Sequence, residues 1–279
     1  RSSRLLCHHC GKSEEPPLNC PNCGHNPLHP IGEGTQRIED ALRNELPSAR
    51  ILRLDSDNAA TTKQLTKDLA QVRAGEIDIL VGTQLLSKGH DFPSVTLVCI
   101  LNADGGLYSL DFRAPERFYQ QLTQVAGRAG RGSKPGLVLV QTRHPDDISL
   151  FRLAKHDFDG FVQAELSQRR MAQCPPFARF ALLRADSLTP YMPLEFVNVA
   201  ADLGRRLLYD QSTDSVQILD PVPSPMERKA GRYRAQLLVT SRTHAPLHHF
   251  LRNWLDELGK LKEGRTLRWS LDVDPIEMY

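Results

Sequence analysis

Gln124, Arg128 and Arg131 follow one another at intervals of four and three residues, which sets an amide and two guanidinium groups along one face of a helix. Two arginines three apart form a planar, permanently charged clamp suited to a terminal phosphate. A guanidinium used in this way supplies about 10³ to 10⁵ in the rate of phosphoryl transfer, so its loss abolishes turnover while sparing the fold. Upstream, Gly82-Thr83-Gln84 can present a hydroxyl and an amide to a phosphodiester at a strand-to-helix turn. Gly89 permits a tight backbone turn that carries His90 and Asp91 towards the same place. Taken alone, the segment from Gly127 to Arg131 could be a solvated helix end closed by glycine, and Gly82-Thr83 an ordinary turn. Their joint occurrence in this order favours phosphate chemistry.

A second set of reactive groups lies near the start of the sequence. Cys7-His8-His9-Cys10 and Cys20-Pro21-Asn22-Cys23 read CxxC, nine residues, CxxC. Each pair offers two thiolates to adjacent corners of a tetrahedron, the arrangement structural zinc requires. Buried thiols or a redox pair are the alternatives, and His8, His9, His25 and His29 are either substitute ligands or surface residues. Four of the six cysteines being concentrated here argues for metal over disulfides. In so short and Pro-rich a segment, metal binding is largely folding energy, on the order of 10 to 16 kcal/mol.

No GxxxxGK[ST] phosphate loop and no paired-acid strand end for magnesium occurs in the 279 residues, so the chain alone is not expected to hydrolyse ATP. Net charge is only +2, which confines any attraction for a phosphate polymer to local clusters. A hydrophobic content of 40% supports packed cores, and no apolar run of about 18 residues is present to suggest a membrane partner. Cytoplasm is the expected location. The sequence opens at Arg1 without a Met, just before the cysteine cluster, and is expected to be the C-terminal part of a longer protein.

Four segments must position these groups: 1–29, a zinc-binding segment; 30–145, an α/β domain; 146–175, a helical link; and 176–279, a second domain. In the α/β domain, strands at Arg50-Leu54, Ile77-Val81, Val95-Leu101 and Gly136-Thr142 alternate with helices near Thr35-Leu46, Thr62-Ala74 and Pro115-Arg128. This is the rhythm of a parallel sheet covered on both faces, whose ligands gather at the carboxyl ends of the strands. Ile38, Leu42 and Leu46, like Leu65, Leu69 and Val72, give each helix one face to bury. Residues 147–172 read as one helix ended by Pro175-Pro176.

Beyond it the order is strand (Phe177-Ala185), helix (Leu194-Leu208), strand (Val216-Leu219), strand (Tyr233-Thr240), helix (Ala245-Leu258), strand (Leu267-Val273). That order predicts a ferredoxin-like α+β sandwich with Leu203, Leu207, Phe250, Trp254 and Leu258 in its core, Trp269 packing, and one sheet face open. Alternation places Arg232, Arg234 and Gln236 on the open face, with Arg228 and Lys229 on a Gly-containing loop just before. These four basic residues either grip a DNA backbone or are simply solvated.

Several stretches carry a closer likeness: GEGT at Gly32-Thr35, GTQLLSKGHDFPSVTLV from Gly82, ADGGLYSLDFRAPERF from Ala103, QVAGRAGR from Gln124, Pro175-Pro176, and LDVDPIE from Leu271. In these the chain resembles the primosomal N-prime family of bacterial replication-restart helicases, within superfamily 2. The resemblance implies that the α/β domain is a RecA-like second motor lobe facing ATP and magnesium held by a first lobe. It further implies a 3′-to-5′ DNA helicase that recognises branched DNA at abandoned forks and starts reloading of the replicative helicase. Carried over by motif, Arg128 and Arg131 contact the γ-phosphate in the motif that begins at Gln124. Gly89 and Asp91 form the nucleotide-side motif, and Thr83 touches the single strand.

The family carries four CxxC pairs forming two zinc sites, and the pairs here correspond to the last two, one from each site. The resemblance makes that zinc-ribbon-like module structural and protein-docking. It also implies docking of loader proteins, and of the acidic tail of single-stranded-DNA-binding protein near Arg242 or His244. A non-catalytic primosome scaffold of the same fold is the alternative. A zinc-ribbon transcription or RNA-binding protein is a third, which the low basic content of residues 1–29 disfavours.

Overall fold

The computed structural model describes residues 5–7, 12–15, 17, 19–20, 22–24, 34–55, 62–83, 94–107, 111–127, 135–210 and 215–278. Two units emerge: His29–Ser109 with Arg113–Gln163, and Ala164–Tyr279 with Leu110–Phe112 and Arg1–Leu28. Among the described residues no helix is long and apolar enough to cross a membrane.

At the start of the chain, β1 (Leu5–Leu6) and β2 (Ser13–Glu14) form a short antiparallel hairpin around the first CxxC, closed by the Cys7 N–H donating to the Lys12 carbonyl at 2.8 Å.

The first unit follows with α1 (Thr35–Glu45), β3 (Ile51–Leu54), α2 (Thr62–Arg73), β4 (Ile79–Gly82), β5 (Leu97–Ile100), α3 (Asp104–Leu107), α4 (Ala114–Ala126), β6 (Leu137–Val140) and α5 (Ile148–Ala154). The expected strands appear, all in parallel pairs, but among the described residues they do not join into one sheet. β3 pairs with β4 and β5 with β6, and each pair stands as its own two-stranded sheet. Each has a small core: Leu54 and Leu69 with Leu52, Leu65, Val72, Leu80 and Val95 under the first, and Ala103, Phe118 and Leu122 with Ile100, Val140, Leu150 and Leu153 under the second. Leu97, Leu137 and Leu139, on the other face of β5 and β6, are about half exposed. Among the described residues, coverage of both faces, the rule for parallel sheets, therefore does not hold for β5 and β6. In α1 nothing is fully buried and Leu46 is largely exposed. The helix lies against β3 through polar links instead, Arg43 to the Ile51 carbonyl and Arg53 to Glu39.

The single helix expected over 147–172 is two, α5 and α6 (Phe158–Met171). The break has a local cause. His156 takes a left-handed backbone (φ 55°), and Asp157 then accepts the Gly160 N–H at 2.9 Å, capping α6 while binding Arg152 at 2.8 Å. Tyr119 of α4 stacks on Phe161 of α6 at 3.9 Å between ring centroids.

The C-terminal unit runs β7 (Arg179–Ser187), α7 (Met192–Asp210), β8 (Val216–Ile218), β9 (Val222–Lys229), β10 (Arg232–Ser241), α8 (His244–Leu258), a 3-10 turn at Glu263–Arg265 and β11 (Arg268–Val273). Its sheet is antiparallel with order β11-β7-β10-β8, and β9 pairs with the rest of the β10 edge. The expected order is met with one addition, β9, which turns Arg228 and Lys229 from loop residues into the last residues of a strand.

α7 and α8 cover one face. Phe196, Val197, Ala200 and Ala201 meet Phe250, Trp254 and Leu258 over Ala181, Leu183, Leu237 and Val239. Trp254 is fully buried and its indole N–H donates to the Ala200 carbonyl at 3.0 Å. Leu203, Leu207 and Trp269 lie at the margin of this core.

Candidate phosphate site and nucleic-acid face

In the first unit the chemistry gathers where the strands end. Thr83 follows β4 directly and is exposed. Beside it in the sheet, β3 runs into Asp55, which is 5% exposed and accepts a 2.6 Å hydrogen bond from the Thr35 hydroxyl. Past β5, Asn102 adopts a left-handed backbone (φ 52°) and its N–H donates to the Gln141 side chain. Asp104, opening α3, accepts from the Thr142 hydroxyl and the Arg143 N–H, which latches the end of β6 to that of β5. The Thr142 hydrogen bond, helped by Arg143 and opposed by desolvation, holds the Asp104 carboxyl below the usual range.

Asp55 and the Asp104–Thr142 latch were not singled out by spacing, although Asp104 lies within one of the family-like stretches. On the opposite side, the Arg50 guanidinium grips Asp78 through two hydrogen bonds, of 2.7 and 2.9 Å, and keeps that carboxyl far below its ordinary value.

Gln124 is exposed in the last turn of α4, which ends at Ala126 with the Gly127 N–H returning to the Thr123 carbonyl at 2.9 Å. Arg128 and Arg131, together with Gln84, Gly89 and Asp91, lie outside the described residues.

Among the cysteines, Cys7, Cys20 and Cys23 are described and Cys10 is not. The Cys23 and Asn22 N–H groups donate to the Cys20 sulfur, with Cys23 the stronger influence, and pull that thiol below its ordinary range. The turn is closed by the Gly24 N–H donating to the Cys20 carbonyl at 2.8 Å, and Gly24 takes φ +70°, where a side chain would be strained. Among the described residues no three His, Cys, Asp or Glu side chains are grouped for a metal.

In the C-terminal unit the face of the sheet away from the helices carries Arg184 and Asp186 on β7, Arg232, Arg234 and Gln236 on β10, and Arg268 and Asp272 on β11. Register sets them in rows, Arg268 beside Asp186 beside Arg234 and Ser270 beside Arg184 beside Gln236. Two arginines are committed within the face, Arg184 to Asp272 at 2.8 Å and Arg232 to Asp186. Arg228 lies over the Tyr233 ring at 5.1 Å. Lys229, Arg234 and Arg268 show no ion pair among the described residues. Arg242 and His244 stand at the other end of β10, where it turns into α8.

Comparison with known proteins follows the same division. The family described as Helicase conserved C-terminal domain matches residues 32–133, and the Primosomal protein N C-terminal domain matches residues 170–276. The Replication restart protein PriA of Haemophilus influenzae is 37% identical over 98% of this chain and 37% of its own length. That of Bacillus subtilis is 37% identical over 99% of the chain and 34% of its own length, and that of Synechocystis 40% identical over 98% and 32%. The chain thus spans about a third of the length of these relatives.

Proposed function

Because the chain belongs, over nearly its whole length, to the family of replication restart proteins PriA, we propose that it is the second motor lobe and C-terminal domain of an ATP-dependent 3′-to-5′ DNA helicase. In this reading the whole protein recognises stalled or branched replication forks and initiates primosome assembly. One observation carries it: a helicase C-terminal family and a primosomal C-terminal family occupy successive parts of one chain, and the glutamine-arginine motif falls inside the first.

Arg128 and Arg131 clamp the γ-phosphate of an ATP whose β-phosphate and magnesium are held by another lobe, because this chain has no GxxxxGK[ST] loop. Gln124 positions the attacking water or the clamp from the preceding helical turn. Gly89 and Asp91 line the nucleotide side, and Thr83 and Gln84 meet the DNA backbone at the carboxyl end of β4. The Asp104–Thr142 latch keeps the neighbouring strand ends in register for this work.

The C-terminal unit is a ferredoxin-like sandwich, supported by its strand order and by both helices lying on one face. The face away from the helices takes DNA through Lys229, Arg232 and Arg234, with Arg228 reaching round from the other side of the β9–β10 edge, where it pairs with Tyr233. The acidic tail of single-stranded-DNA-binding protein docks near Arg242 and His244, and loader proteins dock on the same domain. The chain works in the cytoplasm, on the nucleoid. The Cys20-Cys23 turn fits half of a zinc site, since its N–H groups already favour the thiolate, and Cys7 and Cys10 fit another half. When bound, zinc supplies structural cross-linking and no catalytic step.

The test is DNA-stimulated ATP hydrolysis by a full-length protein carrying this chain, as wild type and as Arg131→Ala, with fork binding measured alongside. Turnover should fall by about 10³ or more while fork binding persists. Fork binding without turnover in the wild type would replace the motor by a non-catalytic primosome scaffold of the same fold.

A further inference from the structure

Tyr191 combines two properties rarely found together: its side chain is 84% exposed and its backbone is left-handed, at φ 64°. A bulky residue adopts that conformation at a cost, so something must hold it there. The loop is indeed built. The buried Ser187 hydroxyl accepts the Thr189 N–H at 3.1 Å, the Met192 N–H donates to the Pro190 carbonyl at 2.8 Å, and the Tyr191 carbonyl accepts the Glu195 N–H as α7 begins. An apolar ring fixed in water on a rigid loop gains nothing for the fold.

Strand register tells where the loop leaves the sheet. β7 ends at Ser187, paired with Tyr233, so the loop emerges at the end of the sheet where β10 begins and β9 finishes. Arg228 and Lys229 pair there with Tyr233 and Arg232, while Arg268 and Arg234 flank Asp186 one step back. Leu188, 69% exposed, shares the loop, and Met192, Glu195, Phe196, Lys262 and Glu263 line a cleft at the start of α7.

We propose that this end of the sheet binds unpaired nucleotides, with a base stacked on Tyr191 and the flanking phosphates held by Arg228, Lys229, Arg234 and Arg268. The proposal rests on the DNA-binding reading of the open face and makes it specific to single strands. A presented aromatic face needs a base whose own face is free, which a duplex does not offer, and the arginines and lysine at this end of the sheet suit a phosphate chain better than the apolar core of a protein interface.

The experiment is fluorescence anisotropy of the 279-residue chain with labelled oligothymidine and with a blunt duplex of equal length. The forms compared are wild type, Tyr191→Ala, Tyr191→Phe and the combined Arg228→Ala, Lys229→Ala, Arg234→Ala variant. Tyr191→Ala should weaken oligothymidine about five- to a hundredfold and leave the duplex within about twofold, and Tyr191→Phe should stay near wild type. Unchanged thermal midpoints establish that the fold is intact. If the basic variant loses both ligands while Tyr191→Ala loses neither, the stacking proposal is overturned and the DNA-binding face survives. If no variant affects either ligand, or the wild type binds neither, both are overturned.

Discussion

Arg232 reaches across from β10 to Asp186 of β7 and binds both its carboxylate and, at 3.2 Å, its main-chain carbonyl. On the face away from the helices, which is not open throughout since Phe180 and Leu182 are buried there, Arg232 and Arg184 are already neutralised within the sheet, whereas Arg234 is not. Arg234→Ala should therefore cost more DNA affinity than Arg232→Ala. Each phosphate no longer neutralised should take about 0.7, for a single strand, to 0.9, for a duplex, from the slope of log affinity against log salt. Asp186→Asn should strengthen binding by releasing Arg232. Titrations at several salt concentrations check the order, and equal losses for the two arginine variants would contradict it.

Gly204 in α7 leaves no room for a methyl group. A Cβ there would lie 2.5 Å from Ile218 Cδ1 and 3.1 Å from the Trp254 indole nitrogen. Gly204→Ala should cost about 1 to 3 kcal/mol through overpacking, despite the better helix propensity of alanine. Both tryptophans, Trp254 and Trp269, belong to this unit, so their fluorescence in urea reads the change directly. An unshifted midpoint would show that the helices separate freely.

Asp78 and Asp104 are both held below the ordinary carboxyl range, the first by Arg50 and the second by Thr142. A carboxylate depressed in the folded state contributes stability that is present above its unfolded pKa of about 4 and is lost as pH falls towards the folded value. The first unit should accordingly weaken from about pH 5 downward. Circular dichroism, which sees both units, should report earlier acid unfolding than tryptophan fluorescence, which sees only the C-terminal one. Asp78→Asn should flatten the difference, and coincident acid transitions in the wild type would refute it.

Cys20 is the thiol with its charge already favoured, so it should lead metal capture. Cobalt added to the reduced chain should give a thiolate charge-transfer band that Cys20→Ser diminishes more than His25→Ala does. A band insensitive to Cys20→Ser would place the metal elsewhere.

Where local pattern and tertiary role agree, the sequence was readable. Phe250, Trp254 and Leu258 occupy the core because their helical spacing has one meaning in an amphipathic helix. β9 escaped because Pro223, Pro225 and the charged Glu227-Arg228-Lys229 read as loop. An edge strand tolerates such residues, since one side of it never has to donate to a neighbour. The break between α5 and α6 carries no glycine signal, as His156 supplies the left-handed turn. Division of the parallel strands into two pairs is a non-local outcome that no short window encodes. Of the proposed phosphate site, Gln124 and Thr83 stand at the ends of α4 and β4 as their spacing suggested, while Gln84, Gly89, Asp91, Arg128 and Arg131 lie outside the described residues. Asp55 and the Asp104–Thr142 latch, which brace the strand ends, required knowing which loops meet.

Among the described residues, the C-terminal unit rests on one continuous core of 16 buried residues, while the two cores of the first unit hold three and two. Protection against hydrogen exchange should be graded accordingly, with the amides of β7 and β10 slowest and those of β3 to β6 quick to open. Warming should thus loosen the unit proposed to face the nucleotide first and leave the unit proposed to hold DNA to melt last.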